Sequence, residues 1–168
     1  MLVSSPQSMN WHVLHLRPRS EKKMAQHCEI NALRFCLPLR KETKIYQRRK
    51  VTVWKPVFPG YFFVSFDADG RLALLKTNHV LRIFKPWSEE KLLHELDQIR
   101  KALTVDPTLF GCQALVAGRY VRITGGPFMG IEGRVASLKG NTKVILNVEM
   151  IGQGVAVEVE NEYLEVVD

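Results

Sequence analysis

Apolar positions recur with a short period along the first hundred residues, and the period changes several times. Trp11 to Leu16 (WHVLHL) predicts a short strand, limited by Pro18. Ser20 followed by Glu21 marks a helix start with an acid in its first turn. Met24, Ala25, Cys28, Ala32 and Leu33 then recur at helical spacing. Phe35 to Arg40 predicts a second strand with Pro38 at an edge or bulge, and Val51-Thr52-Val53-Trp54 reads as the far arm of a hairpin. Phe58 to Phe66 (FPGYFFVSF) is the strongest strand of this half. Phe62, Val64 and Phe66 lie on one of its faces and Tyr61, Phe63 and Ser65 on the other. Both faces begin aromatic, so the second is expected to be an open surface for a partner. A short helix (Leu72 to Lys76) after Asp69-Gly70 and a strand (Val80 to Phe84) follow. Ser88 then opens a helix whose Leu92, Leu96, Ile99 and Leu103 form an apolar stripe. The order β-α-β-β-α-β-α predicts an α+β layer, an antiparallel sheet with helices packed on it.

The pattern changes beyond Leu103. Residues 104–118 contain Pro107, Gly111 and Gly118 without a clean period and read as a linker, although Leu109, Phe110, Leu115 and Val116 suit partial docking on a domain. Strands are expected near 120–124, 131–138, 143–150, 155–159 and 164–167, with turns at Gly140-Asn141 and Gly152-Gln153-Gly154. Five short strands must curl to hide their edges, which predicts a small all-β barrel. The expected organisation is thus a domain at 10–103, a linker at 104–118 and a barrel domain at 119–168.

Charge separates the same two halves. Residues 1–103 hold 19 Lys and Arg against 9 Asp and Glu, while residues 104–168 hold 5 against 8. The basic half is the expected nucleic-acid face, above all the run from Arg40 to Lys55, where Lys41, Lys44, Arg48, Arg49, Lys50 and Lys55 face Glu42 alone. The bland alternative for that run is a solvated hairpin. With 46% apolar residues the 168-residue chain can build a core, yet no stretch approaches the roughly 18 apolar residues of a membrane span. The first ten residues lack a signal-peptide pattern, so a cytoplasmic protein without a membrane partner is expected. Cys28, Cys36 and Cys112 have no metal-ligand spacing and read as reduced thiols. His12, His15, His27, His79 and His94 form no triad or metal pattern, and Gly125-Gly126-Pro127 lacks the Lys and Ser/Thr of a phosphate loop. The expectation is a binding protein: no enzyme, no cofactor, no metal.

Val121 to Val135 reads VRITGGPFMGIEGRV, a Gly-Gly-Pro corner and a second glycine turn within a β-branched pattern, with Phe128-Met129 at the tip. It resembles the KOW motif of elongation factors and ribosomal proteins. Trp11, the run Phe35-Cys36-Leu37-Pro38 and the run Pro56-Val57-Phe58-Pro59-Gly60-Tyr61-Phe62-Phe63-Val64 resemble the N-terminal domain of NusG-type transcription factors, nearest to the specialised RfaH and UpxY kind. Together the two resemblances cover residues 10–168. They imply an NGN-like domain followed by a KOW, SH3-like five-stranded barrel. They also imply a monomeric elongation or antitermination factor that suppresses pausing and termination on particular operons. Trp11, His15, Trp54, Phe58, Pro59, Gly60 and Tyr61 would meet the clamp helices of RNA polymerase's largest subunit. Arg17, Lys23, Lys44, Arg48, Arg49 and Lys50 would lie along non-template DNA or nascent RNA. Phe128, Met129, Gly130 and Ile131 would meet Rho or NusE. The segment Lys76-Thr77-Asn78-His79 departs from the His-Thr-Thr pattern by which RfaH meets the β-subunit gate loop. RfaH's C-terminal domain can turn into a helical hairpin; here the β-branched residues, Gly152 and Gly154 favour a barrel that does not switch. Two alternatives remain open: a general housekeeping NusG, or a KOW-type RNA- or ribosome-binding protein without polymerase contact.

Overall fold

The computed structural model describes residues 10–112, 118–138 and 141–167. It divides into two compact units. Of the described residues, one takes 10–37 together with Phe58–Glu90; the other takes Pro38–Val57 and those from Lys91 onward.

The first unit is a four-stranded antiparallel sheet with two helices. Strands β1 (Asn10–Leu16), β2 (Phe35–Cys36), β5 (Tyr61–Phe66) and β6 (Val80–Phe84) lie in the order β2-β5-β1-β6. The register pairs Leu14 with Phe62 and His12 with Val64, so alternation puts Leu14, Leu16, Phe62, Val64 and Phe66 on one face. Those side chains are buried together with Met24 and Cys28 of α1 (Glu21–Ile30) and Leu74 of α2 (Ala68–Leu75). Burial of each ring or branched chain stabilises by about 1.5–3 kcal/mol, which fixes the register: a slip by one would expose the whole set.

Several local expectations are corrected. Phe35 to Arg40 is not one strand, because Pro38 has no N–H to give to a ladder; Phe35–Cys36 pairs with β5, and Leu39 starts a hairpin. Helix α2 begins at Ala68 and not after Gly70. The Asp67 carboxylate accepts from the Gly70 N–H at 2.8 Å as its cap, and Gly70 sits inside the helix, where an added Cβ would come 2.9 Å from the Phe66 Cβ. Helix α1 ends at Ile30, since Ala32 takes a left-handed φ of 54° and the Leu33 N–H closes the end on the Cys28 carbonyl at 2.8 Å. Ser20 makes no side-chain cap; its hydroxyl lies 3.3 Å from His79 Nδ1.

The second unit holds the back strands, a long helix and a ribbon. β8 (Tyr120–Ile123), β9 (Glu132–Leu138), β10 (Asn141–Val148), β11 (Gln153–Glu158) and β12 (Leu164–Val166) form an antiparallel sheet in the order β12-β8-β9-β10-β11. These are the five strands expected. A sixth, β7 (Gly111–Cys112), pairs with Gly154 and Val155, so part of the expected linker is a strand; residues 113–117 of that linker lie outside the described residues. Gly140 of the expected Gly140-Asn141 turn also lies outside them, and Asn141 opens β10. Val144, Ile145 and Leu146 are consecutive and all buried, so the middle of the sheet is covered on both faces. The remaining core comes from Val121, Ile123, Ile131, Val148, Val155 and Val157. β3 (Leu39–Tyr46) and β4 (Arg49–Pro56) form a separate two-stranded ribbon, tied by the Lys41 N–H to the Pro107 carbonyl at 2.6 Å. Helix α3 (Glu89–Val105) buries Leu92, Leu96, Ile99 and Ala102, the stripe read from its period with Ala102 in place of Leu103.

Candidate functional site

The second face of the first sheet carries Trp11, Val13 and His15 of β1 opposite Ser65, Phe63 and Tyr61 of β5. Its centre is not open. Val13 and Phe63 are fully buried and Ser65 nearly so, whereas Trp11, His15 and Tyr61 at the margin are half-buried. The expectation of an open aromatic face is corrected to a half-open margin, because a ring the size of Phe63 gains most when wholly removed from water. Phe58 is likewise 1% exposed, so its ring is not offered outward. It precedes a tight corner: the Tyr61 N–H donates to the Phe58 carbonyl, Pro59 is exposed, and Gly60 takes a φ of 86° that a Cβ would strain.

That corner is tied at three points. The Gly60 N–H donates to the buried Glu21 carboxylate at 2.9 Å, and the Leu16 N–H donates to the Gly60 carbonyl at 2.7 Å. His15 stacks on Tyr61 with centroids 5.3 Å apart, and a Cβ on Gly60 would touch the His15 ring at 3.5 Å. Glu21, read from sequence as an acid facing a helix dipole, is therefore also the anchor of this corner. Nearby, the Trp11 N–H donates to the Glu89 carboxylate, and Arg34 lies over the Trp11 ring at 6.0 Å.

The expected nucleic-acid residues fall in two places. Arg17 is exposed, yet its Nε donates to the Asn78 carbonyl at 2.8 Å, which fixes its direction; Lys23 is exposed on α1. Lys44, Arg48, Arg49 and Lys50 stand on the ribbon far along the chain from that pair. The ribbon turns on Gln47 and Arg48, both left-handed with φ of 46° and 62°, where Asn-Gly would be unstrained. Each such non-glycine residue costs about 1 kcal/mol or more. Glu42 binds Lys55 at 2.8 Å, Arg40 at 3.1 Å and Lys44 at 3.9 Å, and the Lys55 hydrogen bond holds its carboxyl below the usual range.

At the barrel turn, Phe128 is half-buried and Met129 is 70% exposed, while Gly130 carries a φ of 90°. Ile131 is only 2% exposed and belongs to the barrel core, a correction to its expected place at the tip: its carbonyl accepts from the Ile123 N–H and turns the side chain inward. A cavity of about 140 Å³ opens beside Phe128, lined by Gly125, Pro127, Glu158 and Tyr163.

One polar cluster escaped the sequence. Lys91, His94, Glu95 and Gln98 of α3 share a face and meet the barrel around a cavity of about 180 Å³. The buried Gln98 accepts from the Glu132 N–H at 2.8 Å, and Glu95 accepts from the Glu149 N–H at 3.0 Å. His94 Nε2 lies 2.9 Å from the Tyr120 hydroxyl, and Lys91 pairs with Glu149. Burial raises the Glu95 carboxyl to about 7, against the Glu149 N–H. Burial and then the Glu132 carboxylate push the Tyr120 phenol to about 12. The i, i+3, i+4, i+7 spacing was legible, but polar residues at that spacing ordinarily mark a solvated face. Among the described residues no group of three or more His, Cys, Asp and Glu side chains is arranged to hold a metal, and no helix is long and apolar enough to cross a membrane.

A family model described as "Transcription termination factor nusG" matches residues 9–100, more than half of the chain. The chain belongs to the NusG family. It is also similar to a protein of Borreliella burgdorferi described as "Transcription termination/antitermination protein NusG", 23% identical over 94% of this chain and 98% of that protein. At this level of description the protein is a transcription elongation or antitermination factor of the NusG type.

Proposed function

We propose that this NusG-family protein binds the clamp of RNA polymerase through the margin Trp11, His15, Pro59, Gly60 and Tyr61. The basic residues Arg17 and Lys23, and separately those of the ribbon, would contact nucleic acid. The observation that supports this reading best is the Glu21-Gly60-His15-Tyr61 corner: two stacked half-buried rings on a hydrogen-bonded turn. Preorganised aromatic rings bury area at low entropy cost, as interface hot spots do. Phe58 supports the corner from within and does not itself touch the partner.

The protein acts by binding and not by catalysis. A factor that contacts the closed clamp more extensively than the open one shifts polymerase toward the closed, unpaused state. The excess of cations in residues 1–103 and the motifs near RfaH and UpxY support action on particular operons. The exposed Met129 beside Phe128 offers a second partner, Rho or NusE, a small apolar contact. Single-round transcription with purified polymerase tests the function: the protein shortens pauses, and Tyr61→Ala loses the effect. Unchanged pausing at saturating protein, with binding to ribosomal RNA in its place, would contradict the reading.

A further inference from the structure

Trp87 stands two residues before the start of α3, directly after the buried Pro86. An apolar residue at that place ordinarily folds back on the first turn of the helix. Trp87 does not: it is 99% exposed, with its indole in water. Pro86, its φ fixed by the ring, holds the base from which the indole projects. Trp87 borders a hollow of about 260 Å³ whose other walls are Asn10, Trp11, Lys85, Pro86 and Glu89, all of the first unit. The Glu89 carboxylate accepts the Trp11 N–H, which ties one wall to the next. Two indoles and a proline ring set among polar groups have the anatomy of an interface hot spot, an apolar centre within a polar rim. The hollow and the His15-Tyr61 corner share a strand. Trp11 and His15 lie on the same face of β1 four residues apart, about 13 Å at strand rise. Trp54, the other indole expected at polymerase, stands instead on β4 of the ribbon.

We propose that the Trp11-Trp87 hollow is a second anchor point for RNA polymerase, taking an apolar side chain of the polymerase between the two indoles. The inference rests on the proposed function and deepens it. Trp11 belongs both to the proposed polymerase margin and to the hollow, so one partner surface reaches the two without a break. A partner patch of ordinary size, about 800 Å², is about 30 Å across and spans both ends of β1. Burying an indole removes about 150–250 Å² of surface from water, and a Trp has only two side-chain torsions to order. The chemistry of the walls selects the guest. A cation would meet Lys85, and Arg34 already lies over the Trp11 ring; an anion would meet Glu89. An uncharged, apolar side chain meets neither penalty.

The test is equilibrium titration of core RNA polymerase with the full chain at two salt concentrations. Trp87→Ala is expected to weaken binding at least about 5-fold, as for loss of a buried interface Trp, while Trp87→Phe, which keeps an apolar ring, stays within about 3-fold. The loss is the same at both salt concentrations, because an apolar contact is not screened. Combined with His15→Ala plus Tyr61→Ala, Trp87→Ala multiplies the loss, since sites more than about 10 Å apart act independently. A fully exposed side chain leaves the fold intact when truncated, which circular dichroism checks; light scattering should find wild type and Trp87→Ala both monomeric. Four results would overturn the inference: Trp87→Ala binding as tightly as wild type, a loss that vanishes at the higher salt, a combined variant no weaker than the corner variant, or a wild-type dimer that Trp87→Ala dissolves. The last would make a second copy of the chain the occupant. The corner variant separates the two claims. If it loses polymerase while Trp87→Ala does not, only this inference fails; if wild type binds no polymerase, the functional reading fails and this inference with it.

Discussion

Ala32 and Glu95 hold a backbone conformation and a protonation state that their residue types resist. Ala32 has a φ of 54° at the end of α1, where glycine would be unstrained. Ala32→Gly is expected to leave stability unchanged or raise it by up to about 1 kcal/mol, the relieved strain being partly offset by greater freedom of the unfolded chain; thermal denaturation reads the shift. Glu95 is the second. Its carboxyl is raised from the ordinary 4.5 to about 7, chiefly by burial, so the folded state binds a proton that the unfolded chain has already released. Its favourable contribution is therefore complete below pH about 4.5 and is lost as pH rises through about 7. The melting temperature of Glu95→Gln should exceed that of wild type at pH 8 and match it near pH 4.5. A wild-type advantage at pH 8 would show that the Glu149 N–H outweighs the burial cost.

At the scale of elements, the barrel corner and the α3 contact set the sharpest demands. An added Cβ at Gly125 would stand 2.5 Å from the Tyr163 ring, so Gly125→Ala has to displace that ring and should cost about 1–3 kcal/mol, measured by urea unfolding. Gln98→Ala leaves the Glu132 N–H without its acceptor, a loss of about 1–3 kcal/mol on the same measurement. Sequence made the elements themselves legible wherever one periodicity ran long enough. The Phe62, Val64, Phe66 alternation and the Leu92, Leu96, Ile99 stripe both mark buried faces. It misplaced ends decided by single contacts: the Asp67 cap of α2, the left-handed Ala32, and the break at Pro38. It misread Phe58 and Ile131 as outward because an aromatic or aliphatic beside a glycine turn looks alike in sequence whether it points in or out. The polar face of α3 was invisible for a related reason: only a structure shows that Gln98 and Glu95 meet backbone N–H groups and not water.

At the scale of the whole molecule, charge and aromatic surface are divided between tasks. Acids outnumber cations after residue 103, while the cations and the half-open rings concentrate before it. That division predicts two separable binding losses, one in the His15-Tyr61 corner and one on the ribbon. The most direct measurement is equilibrium titration of core RNA polymerase with the wild-type protein and with His15→Ala plus Tyr61→Ala, circular dichroism having checked that the variant is folded. The account predicts at least about 10-fold weaker binding for the variant, as for loss of an interface hot spot, with the barrel variant Met129→Ala unchanged. Equal affinity of wild type and the corner variant would contradict it.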